Sequence, residues 1–267
     1  MPPPKKRAET SSNPNHPYPE VQVTGIAVIP EVGKGDDLAL LISEAARRQG
    51  TPIKKGDVVV VTQKVVSKAE GRVILLKRVK PSPLAVSIAR QHGKDPRHVE
   101  AVLRESRRIV RMDHGVIIAE TRHGFICANA GVDASNLPDE ESVCLLPKDP
   151  DGSARGIREG IERRLGVEIA VIITDTFGRP WREGFTNVAV GVSGLDALLD
   201  YRGTSDAYGH PLKVTVMAQA DEIASAASLV CQKTTGVPVA IVRGFGYKRA
   251  RGKARDLVRE PSLDLFR

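Results

Sequence analysis

Along this chain, short runs of branched apolar residues alternate with stretches in which apolar side chains return every three or four positions. The first pattern predicts strands and the second helices. Strands are expected at residues 21–29, at 58–62 (VVVVT), at 168–174, 187–192, 212–218 and 239–243. A hairpin is expected where 116–119 and 125–130 flank the turn Arg122-His123-Gly124. Leu38, Leu41, Ile42 and Ala45 recur at helical spacing after the acidic start Asp36-Asp37, and Gly50 should close that helix. Ser82-Pro83 opens a helix to about Gln91, closed by Gly93, and Asp95-Pro96 opens another to about Arg107. After a linker over 146–152, Ser153 is expected to start a helix whose stripe is Ala154, Ile157, Ile161 and Leu165, with Gly166 as its stop. A short helix at 194–199 and an Ala/Ser-rich one at 221–230 complete the set. No internal repeat is evident.

Residues 1–20 break the pattern. They are rich in Pro, Ser and Asn with hardly an apolar side chain, so the expectation is a disordered leader followed by one domain over 21–267. A chain of 267 residues that is 41% hydrophobic is long enough to bury a proper core. Its 4% aromatic content implies that Val, Ile, Leu and Ala build that core. Three cysteines, Cys127, Cys144 and Cys231, show no CxxC or CxxH spacing, which argues against a disulfide framework or a zinc site and fits a reducing compartment. No apolar run approaches the ~20 residues of a membrane span, so the reading is cytoplasmic, with no membrane partner. The net charge of +8 admits either nucleic acid or small anions as partners. Its clusters, Lys5 to Arg7 and Lys248 to Arg255, are not interleaved with aromatics on a periodic face, and no nucleic-acid partner is read from them.

Chemistry concentrates where apolar runs end. The run 171–173 gives way to Thr174, Asp175 and Thr176, then to a turn holding Arg179, the only tryptophan (Trp181) and Arg182. An acid able to hold a metal thus lies close to guanidinium groups able to hold phosphate or carboxylate; the blander alternative is a solvated turn with Trp181 plugging the core. A second strand end leads into residues 129–136, with Asn129, Asp133, Ser135 and Asn136, and two strand-end carboxylates are what a hard divalent cation requires. After VVVVT, Lys64, Lys68 and Arg72 recur every four residues, either as a solvated basic face or as part of a phosphate-binding loop; no Walker motif occurs. At GKGDD, residues 33–37, two carboxylates stand where a phosphate would lie, which favours a capped helix over an anion cradle.

Five segments occur in one order: SKAEGR (67–72), CANAGVDASN (127–136), LLPKDPDGSA (145–154), TDTFGRPWREG (174–184) and ADEIASAA (220–227). Together they resemble the coenzyme F420-0:L-glutamate ligase family over roughly residues 23–246, in a stand-alone form without the nitroreductase-like domain that follows in some relatives. The resemblance implies an α+β fold with mixed sheets, an intertwined homodimer, and a GTP-dependent ligase that joins L-glutamate to the F420 precursor through an acyl phosphate. It implies Mg2+ or Mn2+, with K+ assisting, and metal ligands at Asp133, Asp175 and Thr176. It places GTP against Ile26, Ala27, Val28 and Ile29, against Gln63, Lys64, Lys68 and Asn136, and under a turn of Cys231, Gln232, Lys233, Thr234, Thr235, Gly236 and Val237. The sequence departs from the family in that turn: relatives supply a last ligand for a second metal from an acidic or amide side chain, and here Lys233 stands there, or Gln232 after a shift of one. Arg179 and Arg182 are the candidate substrate-binding cations, and no catalytic base is assigned. The alternatives are another ATP- or GTP-dependent carboxylate–amine ligase or kinase, and a basic nucleic-acid-binding protein.

Overall fold

The computed structural model describes residues 19–137 and 139–264. In chain order the strands are β1 (Gln22–Ile26), β2 (Val58–Thr62), β3 (Val73–Leu75), β4 (Ser106–Asp113), β5 (Val116–Thr121), β6 (Ile126–Ala128) and β7 (Ser142–Cys144). They continue with β8 (Ala170–Arg179), β9 (Arg182–Leu195), β10 (Leu199–Asp200), β11 (Val216–Met217), β12 (Val239–Arg243) and β13 (Arg249–Ala250). The helices are α1 (Leu38–Arg48), α2 (Gln63–Ala69), α3 (Pro83–His92), α4 (Pro96–Glu105), α5 (Pro150–Leu165) and α6 (Gln219–Ser228). The class is α+β with mixed sheets, as expected. The leader expected over 1–20 falls almost wholly outside the described residues.

The main sheet has the order β1-β12-β2-β8-β9-β13, in which β2 and β8 run parallel and every other neighbouring pair antiparallel. All four valines of β2 and Val171, Ile172 and Ile173 of β8 have no exposed surface. Unbroken apolar runs are what a strand covered on both faces requires. Each such side chain contributes about 1.5–3 kcal/mol of burial. Helices α1, α5 and α6 share this core through Ala39, Ile42, Ile157, Ile161, Ile223 and Ala224. The crossing of α1 and α5 is tight: a Cβ on Gly160 would stand 2.5 Å from Ala39 Cβ, so only glycine lets the helices approach this closely.

A second core gathers Ala85 and Ile88 of α3, Val99 and Val102 of α4, Ile117 and Ala119 of β5, and Val143 of β7. The chain enters this lobe after α2 and leaves it before α5. Its sheet, β4-β5-β6, contains the expected hairpin plus β4, which sequence did not anticipate; α4 stops at Glu105 and the chain turns into strand at Ser106.

Local signals held where caps are strong. Asp37 accepts the Leu40 N–H at 3.0 Å and Asp36 accepts the Gly33 N–H at 2.8 Å, so both carboxylates serve the start of α1. Five expectations change. Helix α5 begins at Pro150, capped by Asp149 through the Gly152 N–H at 3.0 Å, and not at Ser153. Residues 194–199 are not helical, because β9 runs on to Leu195, and the strand expected at 212–218 shrinks to the two residues of β11. The strand at 168–174 continues past Asp175 to Arg179 and returns as β9 in one long hairpin, with Trp181 at φ +57° in the turn and 78% exposed rather than plugging the core.

Candidate active site

The parallel pairing of β2 with β8 ends at Thr62 and Thr174. Beyond it the chain of β2 turns into α2, and β8 keeps only β9 as a neighbour. Asp175 and Thr176 are therefore the first residues of β8 past the sheet proper, next to a register shift between Ile173 and Thr174. Such irregularities re-aim side chains beside a site. The same topology delivers Gln63 and Lys64 to this end of the sheet, where they open α2. The second lobe delivers the loop after β6: Asn129 and Ala130 both have left-handed backbone, and Gly131 at φ +72° lies so close to Leu146 that a Cβ would stand 2.8 Å from its Cγ. This tight turn carries Asp133 out to face the sheet.

These elements enclose an open cavity of about 610 Å³ between the lobes. Its walls hold Ile29 to Val32, Thr62 to Val65, Lys68, Asp133, Asn136, Thr174, Asp175, Thr176 and Asn187. Cys231, Gln232, Lys233, Thr234, Gly236 and Val237 close the remaining side. Most of the residues singled out from the sequence thus converge on one pocket. Ile26, Ala27 and Val28 do not line it. Ile26 is buried in the core, and the Ala27 N–H is held by Gln49 Oε1 at 2.9 Å. Thr235 bonds within its own turn, to the Gln232 carbonyl. Arg179 and Arg182 sit at the tip of the β8–β9 hairpin, outside the cavity walls, and the Arg179 guanidinium donates to the carbonyls of Glu183 and Gly184. Of the basic row, Lys64 and Lys68 face the cavity, with Lys68 Nζ donating to Glu31 Oε1 at 2.5 Å, whereas Arg72 is turned away onto Glu105 at 2.8 Å and the Leu146 carbonyl.

The two carboxylates differ. Asp133 accepts from Lys64 Nζ at 2.8 Å, from the Ser135 N–H at 2.7 Å and from the Ser135 hydroxyl at 3.0 Å. Burial works to raise its pKa, but Lys64 and Ser135 outweigh burial and hold the carboxyl below its ordinary range. Asp175 has no such partner. Burial pushes its carboxyl up to about 6, against the pull of the Thr176 N–H, and the charge of Asp133 adds to the rise while Lys233 and Lys64 oppose it. Thr176 Oγ1 accepts from Lys233 Nζ at 2.8 Å and donates to Asn187 Oδ1 at 2.9 Å. Asn136 Nδ2 spans the mouth of the cavity to the Lys233 carbonyl at 3.4 Å. Burial pushes the Cys127 thiol up to about 12, with the charge of Asp175 adding to the rise, and burial pushes Cys231 to about 11. Neither is a thiolate nucleophile near neutral pH.

The donor set suits a hard divalent cation. Asp133, Asp175, Thr176 and the amide side chains offer carboxylates, a hydroxyl and amide oxygens and no imidazole, the Cys231 thiol in the lining is held protonated by burial, and the buried Asn129 Oδ1 in the Asp133 loop lacks a hydrogen-bond partner. Among the described residues no three His, Cys, Asp or Glu side chains converge. Two carboxylates with open positions is the arrangement Mg2+ adopts when phosphates and water complete its shell. Asn187 escaped sequence reasoning because only the hairpin register puts it opposite Thr176. Ser135 stood in a loop already singled out, but its role as a clamp on Asp133 needs the fold. No helix among the described residues is long and apolar enough to cross a membrane.

Comparison with known proteins bears on what this cavity does. Residues 26–244 match the family model described as F420-0:Gamma-glutamyl ligase. The chain is 49% identical over 250 residues to the coenzyme F420:L-glutamate ligase of Methanothermobacter thermautotrophicus, an alignment covering 92% of this chain and 99% of that protein. It is 47% identical over 254 residues to the protein of the same name from Methanopyrus kandleri, covering 93% and 98%. With that of Methanocaldococcus jannaschii it shares 45% identity over 217 residues, covering 81% and 86%.

Proposed function

Because the chain belongs to the F420-0:gamma-glutamyl ligase family, we propose that it joins the α-amine of L-glutamate to a carboxyl group of the F420 precursor, with GTP as the driving co-substrate. The observation that carries the reading is the cavity itself. Two carboxylates from different lobes face one space, one of them without a bonded cation, among lysines that suit a nucleotide's phosphates.

In this reading the acceptor carboxylate attacks the terminal phosphorus of GTP, GDP departs, and an acyl phosphate forms. The glutamate amine then attacks the acyl carbon, inorganic phosphate leaves, and the amine gives up its proton. Asp133 and Asp175 would hold Mg2+ or Mn2+, which would neutralise charge on the phosphate oxygens, Thr176 beside them is the candidate ligand of a second ion, and K+ would be the assisting ion. Lys68 and Asn136 meet the nucleotide's phosphates from the walls, Lys64 adds its positive charge while bonded to Asp133 and Ser135, and the turn 231–237 closes over the nucleotide. Ile29 supports the nucleotide from the β1 side, with residues 26–28 holding its backbone in place. At the hairpin tip, Arg179 and Arg182 offer cations to the phosphate or the glutamate carboxylates outside the cavity. Trp181 and Phe185, 78% and 76% exposed on the same hairpin, suit burial against a second copy of the chain, in a homodimer working in the cytoplasm.

Incubation with GTP, Mn2+, L-glutamate and the precursor, read by mass spectrometry, should give a glutamyl adduct and GDP in equal amounts. An adduct formed equally well with ATP would remove the GTP assignment, and no adduct under any nucleotide would remove the ligase reading.

A further inference from the structure

Three lysines line the cavity. Lys68 is paired with Glu31, and the two that stand near Asp133 and Asp175, Lys64 and Lys233, are engaged differently. Lys64 Nζ donates to Asp133 Oδ2, to the Ser135 hydroxyl and to the Ser135 carbonyl, so all three N–H donors of its ammonium have acceptors. Lys233 Nζ donates to one group, Thr176 Oγ1 at 2.8 Å. Among the described residues its two other donors have no acceptor, and Nζ lies close enough to Asp175 to draw that carboxyl down.

Its position is fixed at both ends. The head sits on a hydroxyl whose proton is already given to Asn187 Oδ1, so the Thr176 lone pair is the one that remains to be offered. The backbone carbonyl is tied to Asn136, three residues from Asp133. Asp175, Thr176 and Asn187 together present a cluster of oxygens of the kind a hard cation selects, and the cation that stands on it belongs to the chain.

Resting on the ligase reading above, we propose that Lys233 is a built-in cation. Its ammonium takes the oxygen cluster of Thr176 and Asn187, so that each active site holds a single divalent ion, at Asp133 and Asp175, and its two open donors point to the phosphate being transferred. An ammonium brings one positive charge and directed hydrogen bonds, cannot be stripped by a chelator, and cannot share Thr176 Oγ1 with a metal at the same time. The phosphate oxygens are thus met by a metal on one side and by a tethered charge on the other, a division of labour known to serve phosphoryl transfer.

The test is Mn2+ stoichiometry, read by electron paramagnetic resonance on the full chain saturated with a β,γ-imido analogue of GTP, a measurement that needs no turnover. The wild type should bind one Mn2+ per chain. Lys233→Glu, which exchanges the ammonium for a carboxylate, should bind two. Lys233→Met should still bind one, with the dissociation constant of the GTP analogue raised about tenfold or more, the range for a charge-assisted hydrogen bond. Lys233 is exposed, and matched thermal melts would show that both variants fold. Two Mn2+ per wild-type chain, one in Lys233→Glu, or an unchanged affinity in Lys233→Met would each overturn the proposal. A wild type that ligates glutamate while binding two Mn2+ would sink only the role of Lys233, whereas no bound Mn2+ at all would sink the metal assignment with it.

Discussion

Asp57 and Asp175 lie at opposite ends of the same sheet, and the protein treats them in opposite ways. Asp57 stands just before β2, 1% exposed, with both oxygens held by the Arg243 guanidinium at 2.8 and 2.7 Å and a further bond from the Lys54 N–H at 2.7 Å. Arg243 in turn donates to the Pro52 carbonyl, so the pair closes the edge of the fold. Asp175, just past the β2–β8 pairing, receives its neighbour's N–H and feels two lysines without bonding either. The first carboxylate is a finished structural pair. The second is left short of positive charge, and a carboxylate kept in that state within a cavity is a place for a cation or a substrate to complete.

The sharpest way to break this contrast is to remove each partner in turn. Asp175→Asn and Asp133→Asn should each lower ligation by about 10⁴-fold, or ~5.5 kcal/mol of barrier, measured as initial rate at saturating substrates. Wild-type rates in either variant at limiting Mn2+ would contradict the contrast. Arg243→Ala should leave Asp57 buried and unpaired and lower unfolding free energy by about 3–5 kcal/mol, seen as a shift in the urea midpoint, while enzyme kept well below its melting temperature still ligates.

Asp175 should show the opposite sign in stability. Its folded carboxyl is raised to about 6 from an ordinary 3.8, so the folded state binds the proton more tightly and stability falls as pH rises between those values. In metal-free buffer at pH 8, Asp175→Asn should therefore be more stable than the wild type, by up to about 3 kcal/mol, and the gap should close near pH 4. Saturating Mg2+ should shrink the same gap. A variant less stable than wild type at pH 8 would show that Asp175 has a structural partner after all. The smallest expected effect is at the hairpin tip: Arg182→Ala should weaken one substrate by about 1.5 kcal/mol, a tenfold rise in KM, with melting unchanged.

What sequence could see follows the same division. Caps and apolar runs are local, so α1, α3, α4, β2 and the β5–β6 hairpin were legible from Asp37, Ser82, Asp95, VVVVT and the Arg122-His123-Gly124 turn. The long β8–β9 hairpin was not, because residues 174–186 carry no clean alternation and are held as strand by pairing with each other. β4 was hidden for a similar reason: an arginine-rich segment becomes a strand by pairing with β5. In the site, residue types announced Asp133 and Asp175, and the family resemblance pointed to Lys68, Asn136 and the turn 231–237, all of which except Thr235 line the same cavity. What no motif contained was the charge balance: that Lys64 is bonded to Asp133, that Arg72 belongs to Glu105, and that Lys233 stands on Thr176. Those depend on which lobe meets which, and appear only once the chain is folded.

The account turns on Asp175 being a carboxylate held for chemistry and not for the fold. The most direct measurement sets wild type and Asp175→Asn side by side under identical conditions, following glutamyl adduct and GDP by mass spectrometry with a melting curve for each. The prediction is equal amounts of adduct and GDP from the wild type, dependent on added Mn2+, and neither from the variant, whose melting temperature in metal-free buffer at pH 8 matches or exceeds that of the wild type. An Asp175→Asn protein that ligates glutamate at near-normal rate, or that loses activity only because it has unfolded, would contradict it.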